Sequence, residues 1–280
     1  MALDGPAYYS NSIQGIPGAG ADVNIYDTHS TPKYALGWLI ERADGSRFRY
    51  CQFGGAVNAG TLVGPTTSSA GATYGAITVV APASAVAVPA EYPILPGQAG
   101  SHYVEGTISS IAANKYEGGY LIVTRGTGVG DTYRIVGNTA TNDPVTGNLR
   151  IQLAEPLKVS ITVGTGTIVV GSMYTDLALC AISSTQVTGV LMATTTSTLI
   201  YAWVCTRGVV GCQEEATVAP VAGAQISPSR LTAGAYQTMV AGAATIGGAF
   251  FSVPLIGYCR TPSGTGAAAN RQGVIYLEIE

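Results

Sequence analysis

Short runs of Val, Ile, Thr and Tyr recur along this chain between clusters of Gly, Pro, Asn and Asp. No stretch sustains helical periodicity beyond about ten residues, so the pattern predicts an all-β protein. At 280 residues the chain exceeds the roughly 100–150 of a typical single domain, which leaves room for two compact units. The expected architecture is a β-sandwich or barrel-like main domain, residues 33–100 plus 176–280, with a small β-barrel domain inserted at 101–175 and an extended N-terminal arm at 1–32.

The inserted domain is read from five successive strand-like runs, VEGTISSIA, GGYLIVTRG, DTYRIVGN, NLRIQLAEPL and GTIVVGS, each closed by turn residues. Its start is placed near Gly100, because prolines at 82, 89, 93 and 96 restrict the preceding segment to edge strand or linker. The arm mixes Gly15, Pro17, Gly18 and Gly20 with the apolar Tyr8, Tyr9, Ile13, Ile16 and Tyr26. It is expected to be ordered against a partner, outside the core of its own chain.

The clearest local unit is LGWLIERADGSRFRYCQF, residues 36–53, where Asp44-Gly45 is the preferred pair of a two-residue type I′ hairpin. With that turn, Leu39 faces Tyr50 and Glu41 faces Phe48, while Trp38, Ile40, Arg42, Arg47, Arg49 and Cys51 share the other side. Arg42 and Arg47 would then lie directly opposite. Like charges in register are destabilising, so either the loop is longer and the register shifts, or a carboxylate from elsewhere sits between them.

Charged residues make up 10% of the chain against the roughly 25% usual for soluble domains, and the three spans 50–90, 177–206 and 231–258 contain none. Thr, Ser, Asn, Gln and Gly are scattered through all three, so they are neutral, not greasy. The most apolar stretch, 239–258, is interrupted by Gly242, Gly247, Gly248, Pro254 and Gly257, and no membrane span is expected. The opening MALDGPAYYSNSIQ lacks a basic end followed by an apolar run, so maturation is expected where the chain is made. A net charge of −3 without a long basic run argues against nucleic acid as a partner. The five cysteines follow no CxxC or zinc spacing and are expected to be buried thiols, with a Cys205–Cys212 bridge across a tight turn as the alternative.

Chemistry is sparse. The two histidines, His29 in THSTP and His102 in GSHYVE, have no carboxylate at metal-binding spacing and read as surface residues. There is no GxSxG elbow. GTGVGD, residues 126–131, lacks the lysine of a P-loop and precedes a strand, so it reads as a turn. Glu105, Glu117, Asp131, Asp143 and Glu155 could include a facing carboxylate pair, but no spacing selects one. Calcium would suit a loop such as TNDPVTGN, residues 141–148, where isolated Asn/Asp turns account for the same residues. No catalytic residue, cofactor or metal ligand is assigned, and the chain is not expected to be an enzyme.

The segment LGWLIERADGSRFRYCQFGGAVNAGTLV resembles the opening strand pair of capsid-associated structural proteins of tailed phages. YEGGYLIVTRGTGVGDTYRIVGNTA, NLRIQLAEPL, GVLMATTT, YAWVCTRGVVGCQ and IGYCRTP extend the resemblance over most of residues 34–280. It implies a decoration, or cement, protein that binds the assembled lattice of the major capsid protein on the virion exterior. Such proteins are made in the host bacterial cytoplasm and act as homo-oligomers, often trimers and sometimes dimers. The expected partner interface is Tyr8, Tyr9, Ile13, Ile16, Tyr26, Trp38, Arg42, Arg47 and Arg49. A receptor- or carbohydrate-binding spike and a glycan-degrading enzyme on a β scaffold are the competing readings.

Overall fold

A computed structural model describes residues 23–65, 94–107, 111–140, 149–163, 165–182, 186–215, 221–239, 254–262 and 271–280, and the backbone alone over 74–79. Among the described residues there are strands and loops and no helix. The chain divides into two compact units, Met1–Pro65 with Asp176–Glu280, and Thr66–Thr175. The first unit begins with β1 (Leu39–Glu41), β2 (Arg47–Phe53) and β3 (Leu62–Pro65). The second contains β4 (Tyr74–Val79), β5 (Tyr103–Thr107), β6 (Tyr120–Arg125), β7 (Thr132–Asn138), β8 (Leu149–Leu153) and β9 (Gly166–Val170). The first unit resumes with β10 (Leu177–Leu179), β11 (Gly189–Leu191), β12 (Ile200–Gln213), β13 (Gln225–Pro228), β14 (Tyr236–Thr238), β15 (Gly257–Thr261) and β16 (Gln272–Glu278).

The second unit is a closed antiparallel barrel in the order β4-β5-β8-β7-β6-β9. Alternation with period two fills it: Leu121 and Val123 of β6, Tyr133 and Ile135 of β7, and Leu149, Ile151 and Leu153 of β8 all point into one core. The five runs singled out by sequence each supply a stave. The sixth, β4, lies before Gly100, so the expected boundary there is displaced to Pro65. β4 pairs along β9 from Tyr74↔Val170 to Thr78↔Gly166, and without it the barrel has two open edges.

In the first unit, pairings run β2–β10, β10–β3, β3–β11, β11–β12 and β12–β2, and so return to their starting strand. The circuit closes through a single parallel pair, Leu177↔Phe53. β12 is the organising strand. Fourteen residues long, it pairs with β2 through Ile200–Arg207 and with β16 through Arg207–Gln213, with a register shift at Cys205/Arg207 where one partner hands over to the next. Gly208 follows the shift at φ +115, and a Cβ there would meet that of Ser46 at 2.7 Å, so the β1–β2 turn packs on bare backbone. Beyond β16 the sheet continues through β15 and β13 to β14.

The five cysteines are free and buried, and four of them, Cys180, Cys205, Cys212 and Cys259, belong to the first unit's core. Cys205 and Cys212 are seven residues apart on one extended strand, roughly 23 Å at about 3.3 Å per residue, so the tight turn a bridge would need does not exist. Burial pushes the Cys205 thiol up to about 12, which makes it an unreactive core residue.

Candidate partner interface

The β1–β2 hairpin carries four of the residues expected at an interface, and its turn decides where they point. Gly45 N–H donates to Arg42 O and Arg42 N–H to Ser46 O, both at 2.9 Å, with Gly45 at φ +78. This is a three-residue loop, Ala43-Asp44-Gly45, with glycine in the left-handed position, in place of the expected two-residue type I′ turn. Asp44 fastens it by accepting from the Ser46 hydroxyl at 2.6 Å and the Ser46 N–H at 2.9 Å, contacts that hold its carboxyl below the usual range. The register becomes Leu39↔Arg49, Ile40↔Phe48 and Glu41↔Arg47. One residue of slip exchanges the faces.

Arg42 therefore does not oppose Arg47. Its guanidinium lies 4.9 Å from the centre of the Phe48 ring. Arg47 faces Glu41 at 3.4 Å. Arg49 is held by Glu280, whose carboxylate takes its Nε at 3.1 Å and its Nη2 at 3.0 Å, while its Nη1 donates to Gly37 O at 2.8 Å. The expected partner-facing arginine cluster is thus split between two faces, with Arg49 held inside the chain and the Nε atoms of Arg42 and Arg47 buried without a hydrogen bond.

Trp38 lies on the face it shares with Arg42, Phe48 and Tyr50, opposite to Arg47 and Arg49. It packs edge-on to Tyr34 at 5.4 Å, and Tyr34 in turn meets Tyr50 at 5.1 Å and Trp203 at 5.4 Å. Tyr201 stacks on Tyr50 at 5.9 Å with an interplanar angle of 14°. Tyr50 and Trp203 are buried, whereas Tyr34, Trp38 and Tyr201 are half-exposed, so the cluster runs from the core out to the surface. Aromatic pairs at these spacings each add about 0.5–1.5 kcal/mol beyond the area they bury, which makes this a rigid patch.

The segment leading into the patch corrects the expectation of an arm that ends near Pro32. Ile25 is 1% exposed within the first unit's core, and His29 and Tyr201 exchange backbone hydrogen bonds at 2.9 and 2.8 Å. Tyr50 Oη accepts from Lys33 N–H at 3.3 Å and lies 3.0 Å from His29 Nδ1. Burial, first, and the nearby Lys33 charge, second, lower the His29 pKa; burial likewise pushes the Tyr50 hydroxyl up to about 12. Tyr26, by contrast, is 61% exposed beside the buried Ile25. Tyr8, Tyr9, Ile13 and Ile16 lie outside the described residues.

The acids considered for chemistry have structural partners where they are described. Glu105, 2% exposed, accepts from Arg150 Nη2 at 2.7 Å across β5 and β8. Asp131 takes the Tyr133 hydroxyl at 3.1 Å and Lys158 at 3.6 Å, and Glu155 accepts from Arg134 N–H at 3.3 Å. Glu117 stands apart, with burial raising its carboxyl. Asp143, with the loop 141–148, lies outside the described residues. The GTGVGD segment forms the β6–β7 turn, with Gly126, Gly128 and Gly130 all at positive φ and Gly130 N–H bonded to Val123 O.

Sequence reasoning missed Tyr34, Tyr201 and Glu280, which depend on pairings between residues far apart in the chain. No protein-family model matches this chain, and neither does a curated protein or a solved structure.

Proposed function

We propose that this chain is a structural virion protein that binds the assembled surface of a tailed-phage capsid and stabilises it. Its partner on this reading is the major capsid protein, its place the capsid exterior, and its working state a homo-oligomer, with a trimer expected. It does no catalysis in this role.

The observation that carries the reading is the aromatic patch of Tyr34, Trp38 and Tyr201, rigidly backed by buried Tyr50 and Trp203. Aromatic anchors already fixed in place lose little entropy on docking, and they dominate the cores of protein interfaces. The 10% share of charged residues supports it further, because a neutral surface can be covered without desolvating unpaired charge.

Cosedimentation of the purified chain with undecorated capsids tests the proposal. Saturable binding is expected, Trp38→Ala should weaken it about tenfold or more, and decorated particles should retain DNA to a higher temperature than bare ones. Absence of binding, or equal DNA release from bare and decorated particles, would refute the cement role.

A further inference from the structure

β12, β16, β15 and β13 assemble a row of side chains drawn from three distant parts of the chain. Val209 pairs with Tyr276, Tyr276 with Tyr258, and Tyr258 with Gln225, so the four share one face of the sheet. The alternate residues Cys259, Ile275 and Leu277 go into the core. The row itself is open: Val209 is 53% and Tyr258 44% exposed, Gln225 is exposed and Tyr276 half-exposed.

Tyr258 lines two depressions. One, about 420 Å³, is shared with Tyr276, Gly223 and Arg260. The other, about 80 Å³, is shared with Gln225, Leu255 and Glu278. Arg207 is the cross-strand partner of Glu278 and lies diagonal to Tyr276 on the same face. From Leu255 to Arg260 the surface extends roughly 17 Å at about 3.4 Å per residue, more than one sugar ring needs.

We propose that this face is a binding site for a β-linked, equatorially substituted pyranose oligosaccharide. Such a sugar is apolar on both faces, where axial C–H groups project, and carries adjacent hydroxyls around its rim. The site has the matching chemistry: two phenol rings line it beside guanidinium, carboxamide and carboxylate groups, each able to meet two neighbouring hydroxyls. The flat, extended form of a β-linked chain follows the strand direction across both depressions. A second protein surface fits less well, since interface cores are depleted of charge and here Arg207, Arg260 and Glu278 stand among the tyrosines.

The proposal is independent of capsid binding, and its test uses the purified full chain alone. Saturation-transfer NMR with cellotetraose and with chitotetraose at millimolar concentration should mark the ring C–H protons of at least one of them. Tyr258→Ala should weaken that binding about tenfold, Tyr258→Phe should retain it, and Arg260→Ala should weaken it several-fold. Tyr258 is at the surface, so unchanged melting of all three variants is expected. No transfer from the wild-type chain to either sugar, or transfer unchanged in Tyr258→Ala, overturns the assignment. So does a shift from oligomer to monomer in Tyr258→Ala with no sugar bound by the wild type, which would give the face to contacts between copies.

Discussion

His29 shows how one side chain can tie a segment to the core in a pH-dependent way. Its Nδ1 sits 3.0 Å from the Tyr50 hydroxyl while its backbone bridges Tyr201. Burial lowers its pKa from the ordinary 6.5. The folded state therefore binds fewer protons than the unfolded state between the lowered value and 6.5. This contribution to stability is complete above pH 6.5 and is lost as the pH falls through the lowered value. His29 is only partly buried, so the expected effect is local. Amide hydrogen exchange at His29 and Tyr201 should accelerate as the pH is lowered from 7 to 5, after correction for intrinsic rates, and His29→Gln should abolish that acceleration. Equal protection at both pH values would show that the bridge does not depend on the imidazole.

Among the elements, the β1–β2 hairpin separates what local sequence can specify from what it cannot. The strands and the turn position were legible, because two alternating runs flank an Asp-Gly pair. The register was not, since Asp-Gly serves both a two-residue loop and the three-residue loop actually formed, and the difference of one residue exchanges the faces of β2 relative to β1. The like-charge clash between Arg42 and Arg47 was the legible clue, and the longer loop resolves it by giving Arg47 to Glu41. Arg49 is the residue with most at stake. Its contacts with Glu280 and Gly37 O fasten β2 to the second residue after β16, so Arg49→Ala should cost on the order of 1–2 kcal/mol in denaturant unfolding. Arg47→Ala, which removes a more exposed pair, should cost about 0–1 kcal/mol. Equal losses from the two substitutions would contradict this ranking. The same limit on local reading explains β12, whose halves LIYAWVCTRG and VVGCQEEATV look like separate strands around a Gly, and β4, whose YGAITV run is hidden between Ser/Thr-rich and Pro-rich neighbours. Tyr258 and Tyr276 become neighbours only through the β15–β16 ladder, a pairing that no local spacing encodes.

For the whole molecule, the decisive fact is where the chain leaves and re-enters each unit. Pro65, the last residue of β3, pairs with Leu177 at the start of β10, and Tyr74, the first of β4, pairs with Val170 at the end of β9. Each unit thus has its two chain crossings side by side, and each has its own hydrophobic core. That arrangement predicts that either can be separated without leaving a gap to span. The loop geometry for the first unit is already present, because Asp176 sits in the left-handed region at φ +54, where Gly45 sits in the three-residue turn of the β1–β2 hairpin. Replacing residues 66–175 by Ala-Asp would join β3 to β10 through Ala-Asp followed by Asp176, the same loop length with a left-handed third residue. The shortened chain should give a dispersed NMR spectrum and a cooperative melt. Residues 66–175 expressed alone should do likewise, since the barrel closes on itself through β4–β9 and needs no strand from elsewhere. A shortened chain that remains unfolded, while the barrel fragment folds, would mean that the first unit's circuit, closed by the single pair Leu177↔Phe53, needs the insert to hold it together.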